Sequence, residues 1–90
     1  MDANPWPPSF NELLRAHLPL LHPGEPLTSD LALGEYGLDS LAAVDLLLEM
    51  EKRFSVSIPD ELLTGSMFTD PAAIWSVLTQ LRPDLQKLEL

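Results

Sequence analysis

Ser40 is the side chain with the clearest chemical prospect in this chain. It stands in Gly37-Leu38-Asp39-Ser40-Leu41, at the head of an apolar, acid-edged run that continues to Phe54. A hydroxyl at a helix start, beside an acid, suits two tasks. It can cap the helix, as serine and aspartate commonly do. It can also bear a phosphate-linked group, because a phosphodiester there would lie beside backbone N–H donors and the positive end of the helix dipole. Nucleophilic catalysis by Ser40, as in a hydrolase, would need a base within hydrogen-bond reach. His17 lies on or beside the apolar face of the first helix, and His22 lies in a loop next to Pro23. Neither has a spacing that brings it to Ser40, and Asp39 at an N-cap should point its carboxylate at backbone N–H groups. Two histidines and scattered acids make no metal-ligand cluster. Neither G-x-x-x-x-G-K-[ST] nor G-x-G-x-x-G occurs. The chain therefore reads as a non-enzyme, with a cap and an attachment point as the open readings of Ser40.

The elements that must position Ser40 are helical. Ser9-Phe10-Asn11-Glu12 spells an S-x-x-E capping box, followed by Phe10, Leu13, Leu14, His17 and Leu18 at helical spacing, with Pro19 as the stop. Residues 19–38 form a long connection punctuated by Pro19, Pro23, Gly24, Pro26, Gly34 and Gly37. Its leucines 27, 31, 33 and 38 predict that it packs down, and Thr28-Ser29-Asp30 suits one short turn. Asp39 then caps a second helix free of Gly and Pro from Ser40 to Phe54. Ala43, Leu46, Leu47, Met50 and Phe54 form its core stripe. Outside that stripe the helix mixes apolar and acidic residues, more apolar than solvation alone requires. Pro59-Asp60-Glu61-Leu62-Leu63 reads as a short third helix ended near Gly65, with Met67 and Phe68 packing inward. Asp70-Pro71 opens a fourth helix to Leu81, with Ile74, Val77, Leu78 and Leu81 inside and Trp75 partly buried. The expected fold is all-α: a four-helix bundle of three longer helices and one short third helix, with a long first loop. Residues 1–8 are expected to be a disordered, Pro-rich segment, 9–82 the domain, and 83–90 a frayed tail.

Bulk properties narrow the function. Ninety residues make one small domain, and 46% hydrophobic content suffices for one core. The absence of cysteine excludes disulfides and thiolate metal sites. Fourteen acids against five Lys and Arg, a net charge of -9, argue against nucleic acid and anionic membranes, and favour basic protein partners. No apolar run is long enough to span a membrane, and no signal peptide is visible. A cytoplasmic monomer is the expectation.

Gly37-Leu38-Asp39-Ser40-Leu41 resembles the phosphopantetheine attachment motif of acyl and peptidyl carrier proteins. The resemblance extends over residues 9–82. Leu46 to Phe54 looks like the family's second helix, with its acids and closing Phe. Ser57-Ile58-Pro59-Asp60 looks like the turn into its third helix, and Phe68-Thr69-Asp70-Pro71 with Ile74 like the lead into its fourth. The long first loop is a further family trait. The resemblance implies that a phosphopantetheinyl transferase moves 4′-phosphopantetheine from coenzyme A to Ser40, flanked by Asp39 and Leu41. The arm then holds a substrate as a thioester, and the carrier itself catalyses nothing. Leu41, Val44 and Leu48 beside Asp45, Glu49 and Glu51 would form the docking face. Its partners would be an adenylating ligase or acyltransferase and downstream synthase or transferase enzymes. Ala42 and Lys52 stand where the commonest fatty-acid carriers have acids. The run Leu46-Leu47-Leu48-Glu49, the Arg53-Phe54 ending, the extra residues before Phe68 and Trp75 resemble discrete carriers of amino acids. A freestanding aminoacyl carrier of natural-product metabolism, in nonribosomal peptide or antibiotic biosynthesis, is the reading adopted. A fatty-acid or polyketide acyl carrier is the alternative, and a helical interaction module without prosthetic group a remote one.

Overall fold

Prolines set where two of the helices begin. The computed structural model describes residues 6–63 and 65–87. The first helix, α1, spans Pro8–Ala16, and the last, α3, spans Pro71–Leu81; each starts on a proline. A first-turn proline forfeits an N–H that has no intrahelical acceptor anyway, and its ring presets φ. Between them, α2 spans Ser40–Arg53. The α1 start differs from the expected capping box. Pro7 is the N-cap, without a side-chain cap bond, and Ser9 lies inside the helix. Pro8 lets α1 begin one residue before the position where Ser9 would serve as cap. The helix stops at Ala16, ahead of Pro19. At its other end α2 closes through Ser55, which adopts a left-handed φ of 51°, and Val56 N–H donates back to Glu51 O at 3.1 Å. That six-to-one bond satisfies a carbonyl the helix end would otherwise leave open.

Three expectations need correction. The short third helix at Pro59–Leu63 is a single 3-10 turn, Asp60–Leu62, and a second 3-10 turn, Gly65–Phe68, follows it. Leu62 N–H reaches only back to Pro59 O, at 3.0 Å. So short a segment closes i→i+3 bonds without completing the α repeat. Gly65 opens the second turn instead of ending a helix. The segment 1–8 is not irregular throughout. Pro8 belongs to α1, and Trp6 and Pro7 are buried. The Trp6 ring meets Phe10 edge-on with centroids 5.3 Å apart, and its Nε1 donates to Asn11 Oδ1 at 3.3 Å. The tail is also held: Pro83–Lys87 forms a 3-10 turn and Leu85 is buried. The expectations for residues 1–5 and 88–90 lie outside the described residues.

The core centres on Phe10, whose ring lies 5.1 Å from Trp75 and 6.3 Å from Phe54, centroid to centroid. Leu46 and Met50 of α2 and Ile74 and Leu78 of α3 are buried around it, each worth about 1.5–3 kcal/mol of transfer free energy. Ala43, Leu47, Val77 and Leu81 are half-buried at the margin. Trp75, expected to be partly buried, is almost completely enclosed in this cluster.

The long connection is packed, as its leucines foretold. Leu18, Leu21, Leu27, Leu33 and Leu38 are buried, and Leu31 half so. Backbone bonds tie it to the start of α3, from Leu33 N–H to Thr69 O and from Ala72 N–H to Ser29 O, both 3.1 Å. Arg15 of α1 reaches into the same loop, donating to Glu25 O at 2.5 Å and His22 O at 3.4 Å. The expected turn near Thr28 closes through Leu31 N–H to Thr28 O. A 3-10 turn at Leu33–Tyr36 then delivers the chain to Gly37.

Candidate functional site

Gly37 sets the geometry from which Ser40 emerges. It ends the 3-10 turn with φ 102°, a left-handed conformation that costs other residues about 1–2 kcal/mol. A Cβ at Gly37 would also lie 2.8 Å from Pro19 Cγ and 2.9 Å from Pro19 Cδ. The turn is pinned by Leu38 N–H to Leu33 O at 3.2 Å and by Leu20 N–H to Tyr36 O at 3.1 Å. Leu38 is buried, which anchors the segment just before the helix. The chain thus enters α2 in one fixed direction, three residues ahead of Ser40.

Asp39 is the N-cap of α2. Its Oδ1 accepts Ala42 N–H at 2.8 Å, and its backbone carbonyl accepts Ala43 N–H at 2.8 Å. Ser40 occupies the first helical position and is exposed. Its hydroxyl has no hydrogen-bond partner among the described residues. The two readings of Ser40 separate here, because the cap is made by Asp39. The N–H groups of the first two helical positions, Ser40 and Leu41, have no intrahelical acceptor. A phosphodiester on Ser40 Oγ fits this setting: the oxygen is accessible, it is spared from capping, and α2 presents its positive end beside it.

The outer side of α2 is apolar where the sequence placed a docking face. Leu41, Val44 and Leu48 are 78%, 53% and 57% exposed, at spacings of three and four residues. Asp45 is exposed beside them and Glu49 half-buried. Glu51 differs. It is half-buried, and its Oε2 accepts the backbone N–H of Ile58 at 2.9 Å. Its carboxylate is engaged in fastening the chain that leaves α2. Sequence reasoning did not connect His17 with this face. His17 ends α1, with Nδ1 3.0 Å from Leu13 O, and borders an open groove of about 410 Å³ with Asp45, Leu48, Glu49 and Lys52. That groove lies along α2 beyond Ser40, so His17 is not arranged as a base for it. Sequence reasoning also missed Leu20, 61% exposed, whose Cγ lies 3.5 Å from the point a Gly37 Cβ would occupy. The proximity of Pro19 and Leu20 to Gly37 arises only when the loop folds back.

These features are those of a small helical domain that offers a free serine at a helix head. The sequence model of the family described as "Phosphopantetheine attachment site" matches residues 12–68, well over half of the chain. The chain belongs to that family. It is a carrier domain, built to hold 4′-phosphopantetheine and not to catalyse a reaction. It is similar to the acyl carrier protein of Rickettsia bellii (strain OSU 85-389), 44% identical over 41 residues, which make up 44% of this chain and 51% of that protein. The chain thus spans about half the length of that curated relative. Among the described residues no helix is long and apolar enough to cross a membrane.

Proposed function

We propose that Ser40 is the attachment residue for 4′-phosphopantetheine, with Asp39 and Leu41 as its immediate recognition neighbours. The observation that carries this reading is the Ser40 hydroxyl, exposed and unpaired at the head of α2 while Asp39 makes the cap. In the loading step Ser40 Oγ attacks the pantetheine-bearing phosphorus of coenzyme A. An O–P bond forms, the pyrophosphate bond breaks, and adenosine 3′,5′-bisphosphate leaves with the electron pair. The serine proton passes to a base of the phosphopantetheinyl transferase. When bound, the group supplies a thiol on a long arm, able to hold an acyl or aminoacyl unit as a thioester. The chain's own residues hold the attachment point rigid and offer Leu41, Val44, Leu48, Asp45 and Glu49 to enzymes that load and unload that thiol. Apolar contact and acidic steering would divide affinity and encounter rate between them.

The cargo we propose is an aminoacyl unit, attached by an adenylating ligase in cytoplasmic natural-product biosynthesis. It rests on the likeness of Leu46 to Phe54 to discrete amino-acid carriers. Trp75, buried against Phe10, serves the core and adds nothing to this choice. A fatty-acid or polyketide acyl cargo is the second reading, favoured by similarity to a protein named as an acyl carrier. Incubation with coenzyme A and a phosphopantetheinyl transferase should add one phosphopantetheinyl group to the intact mass, and none to Ser40→Ala. Addition that survives Ser40→Ala would overturn the assignment. Offering the loaded protein to adenylating ligases with amino acids, and to acyltransferases with acyl-coenzyme A, separates the two cargo readings by the mass each one adds.

A further inference from the structure

We infer that Leu20, in the long loop, is a recognition residue for the transferase that modifies Ser40, acting together with Leu41. The inference rests on Ser40 being the attachment residue. Among the described residues the exposed large apolar side chains are Leu20, Leu41, Val44 and Leu48. Three of these lie on α2. Leu20 lies in a connection whose other leucines, apart from half-buried Leu31, are buried, and it alone is turned to solvent there. Its position is fixed. Its N–H donates to Tyr36 O at 3.1 Å, and its Cγ lies beside Gly37, three residues before Ser40. Exposed leucine carries an unfavourable hydration free energy that contact with an apolar surface would recover.

The reach of the reaction selects the occupant. An enzyme that acts on the end of a long arm need not touch the carrier at Gly37. An enzyme that forms a bond to Ser40 Oγ must bring its active site onto that oxygen, and so covers the ground on both sides of it. Leu41 follows Ser40 directly, and Leu20 flanks the approach through Gly37. Asp39 and Asp45, on a chain of net charge -9, add the complement for a basic rim around an apolar patch. The partner this surface fits is a transferase whose coenzyme A-binding mouth is apolar at its centre and basic at its edge.

The test is the kinetics of apo-to-holo conversion by a phosphopantetheinyl transferase, followed by intact mass. Leu20→Ser should raise KM about tenfold with kcat nearly unchanged, the size expected for losing one leucine contact. Leu20→Met should restore it, and Gln80→Ser, at an exposed position of α3, should leave KM within about twofold. Thermal unfolding of Leu20→Ser must match the parent, which removes misfolding as the cause. Loading of the parent with equal KM for Leu20→Ser would overturn the inference while sparing the attachment assignment. A parent that accepts no group would instead overturn the attachment assignment beneath it.

Discussion

Asp39 accepts the N–H of the third α2 position, and the hydroxyl next to it at Ser40 is left free. Capping and the proposed attachment are therefore separable by mutation. Asp39→Ala should lower stability by about 1 kcal/mol, the usual cost of a lost cap. Ser40→Ala should change it by less than about 0.5 kcal/mol, as for an exposed site with no partner. Urea unfolding of the two variants checks this, and equal losses would mean that Ser40 shares the cap. Gly37 is a second single-residue determinant. Gly37→Ala would combine a left-handed φ of 102° with a methyl 2.8 Å from Pro19 Cγ, a ring atom with little freedom to retreat. A loss of about 2 kcal/mol is expected, with slower loading of Ser40 as the turn distorts. Gly24→Ala is the control, because a methyl there meets nothing within 4 Å. A Gly37→Ala variant as stable as the parent would show that the turn adjusts without effort.

At the scale of elements, Glu51 has a structural task besides the docking its face suggested. Its position outside the core stripe suggested docking, yet its carboxylate holds the Ile58 N–H at 2.9 Å across the end of α2. Glu51→Ala leaves that partly buried donor without a partner and should cost about 1–3 kcal/mol, with Glu51→Gln falling between. Chemical unfolding with Asp45→Ala as the exposed comparison measures it; equal stabilities would return Glu51 to the surface. The helices themselves were legible because their signals are local: Asp39 and Asp70 as caps, Pro71 at a first turn, and a Gly- and Pro-free run in α2. The connection after α2 was less so, since helical composition from Pro59 to Leu63 does not say whether i→i+3 or i→i+4 bonds close. Contacts between distant segments were not legible at all. Trp75 is buried because the distant Phe10 ring packs 5.1 Å from it, and the tail is fastened because Arg82 donates to Phe54 O, 28 residues away. Arg82 also pairs with Asp84, and that hydrogen bond holds the Asp84 carboxyl below its ordinary range. The proposed attachment motif is five consecutive residues and needs no tertiary contact to be read. Leu20 could not be read so, because nothing in the loop's composition distinguishes it from its buried neighbours.

For the molecule as a whole, charge governs folding and partner encounter with opposite signs. The chain carries a net charge of -9 within a radius of gyration of 12.2 Å. The Debye length is about 10 Å at 0.1 M ionic strength, so carboxylates across the whole body repel one another in dilute buffer. Few attractive pairs offset this: Arg82–Asp84 is the ion pair among the described residues, and it is exposed. Raising sodium chloride from about 0.02 to about 0.5 M should therefore raise Tm by a few degrees, since screening removes more repulsion than attraction. The same screening should lower kcat/KM for the phosphopantetheinyl transferase, because steering toward a basic rim weakens as the field of the carrier shortens. Calorimetry and loading kinetics on one salt series read both signs. A Tm that falls with salt would mean that local attractions outweigh the net repulsion. A loading rate indifferent to salt would remove steering by the acidic face and leave apolar contact as the basis of recognition. Asp45→Lys separates the two effects: by reducing the net charge it should raise Tm at low salt, and by interrupting the face it should flatten the salt dependence of loading.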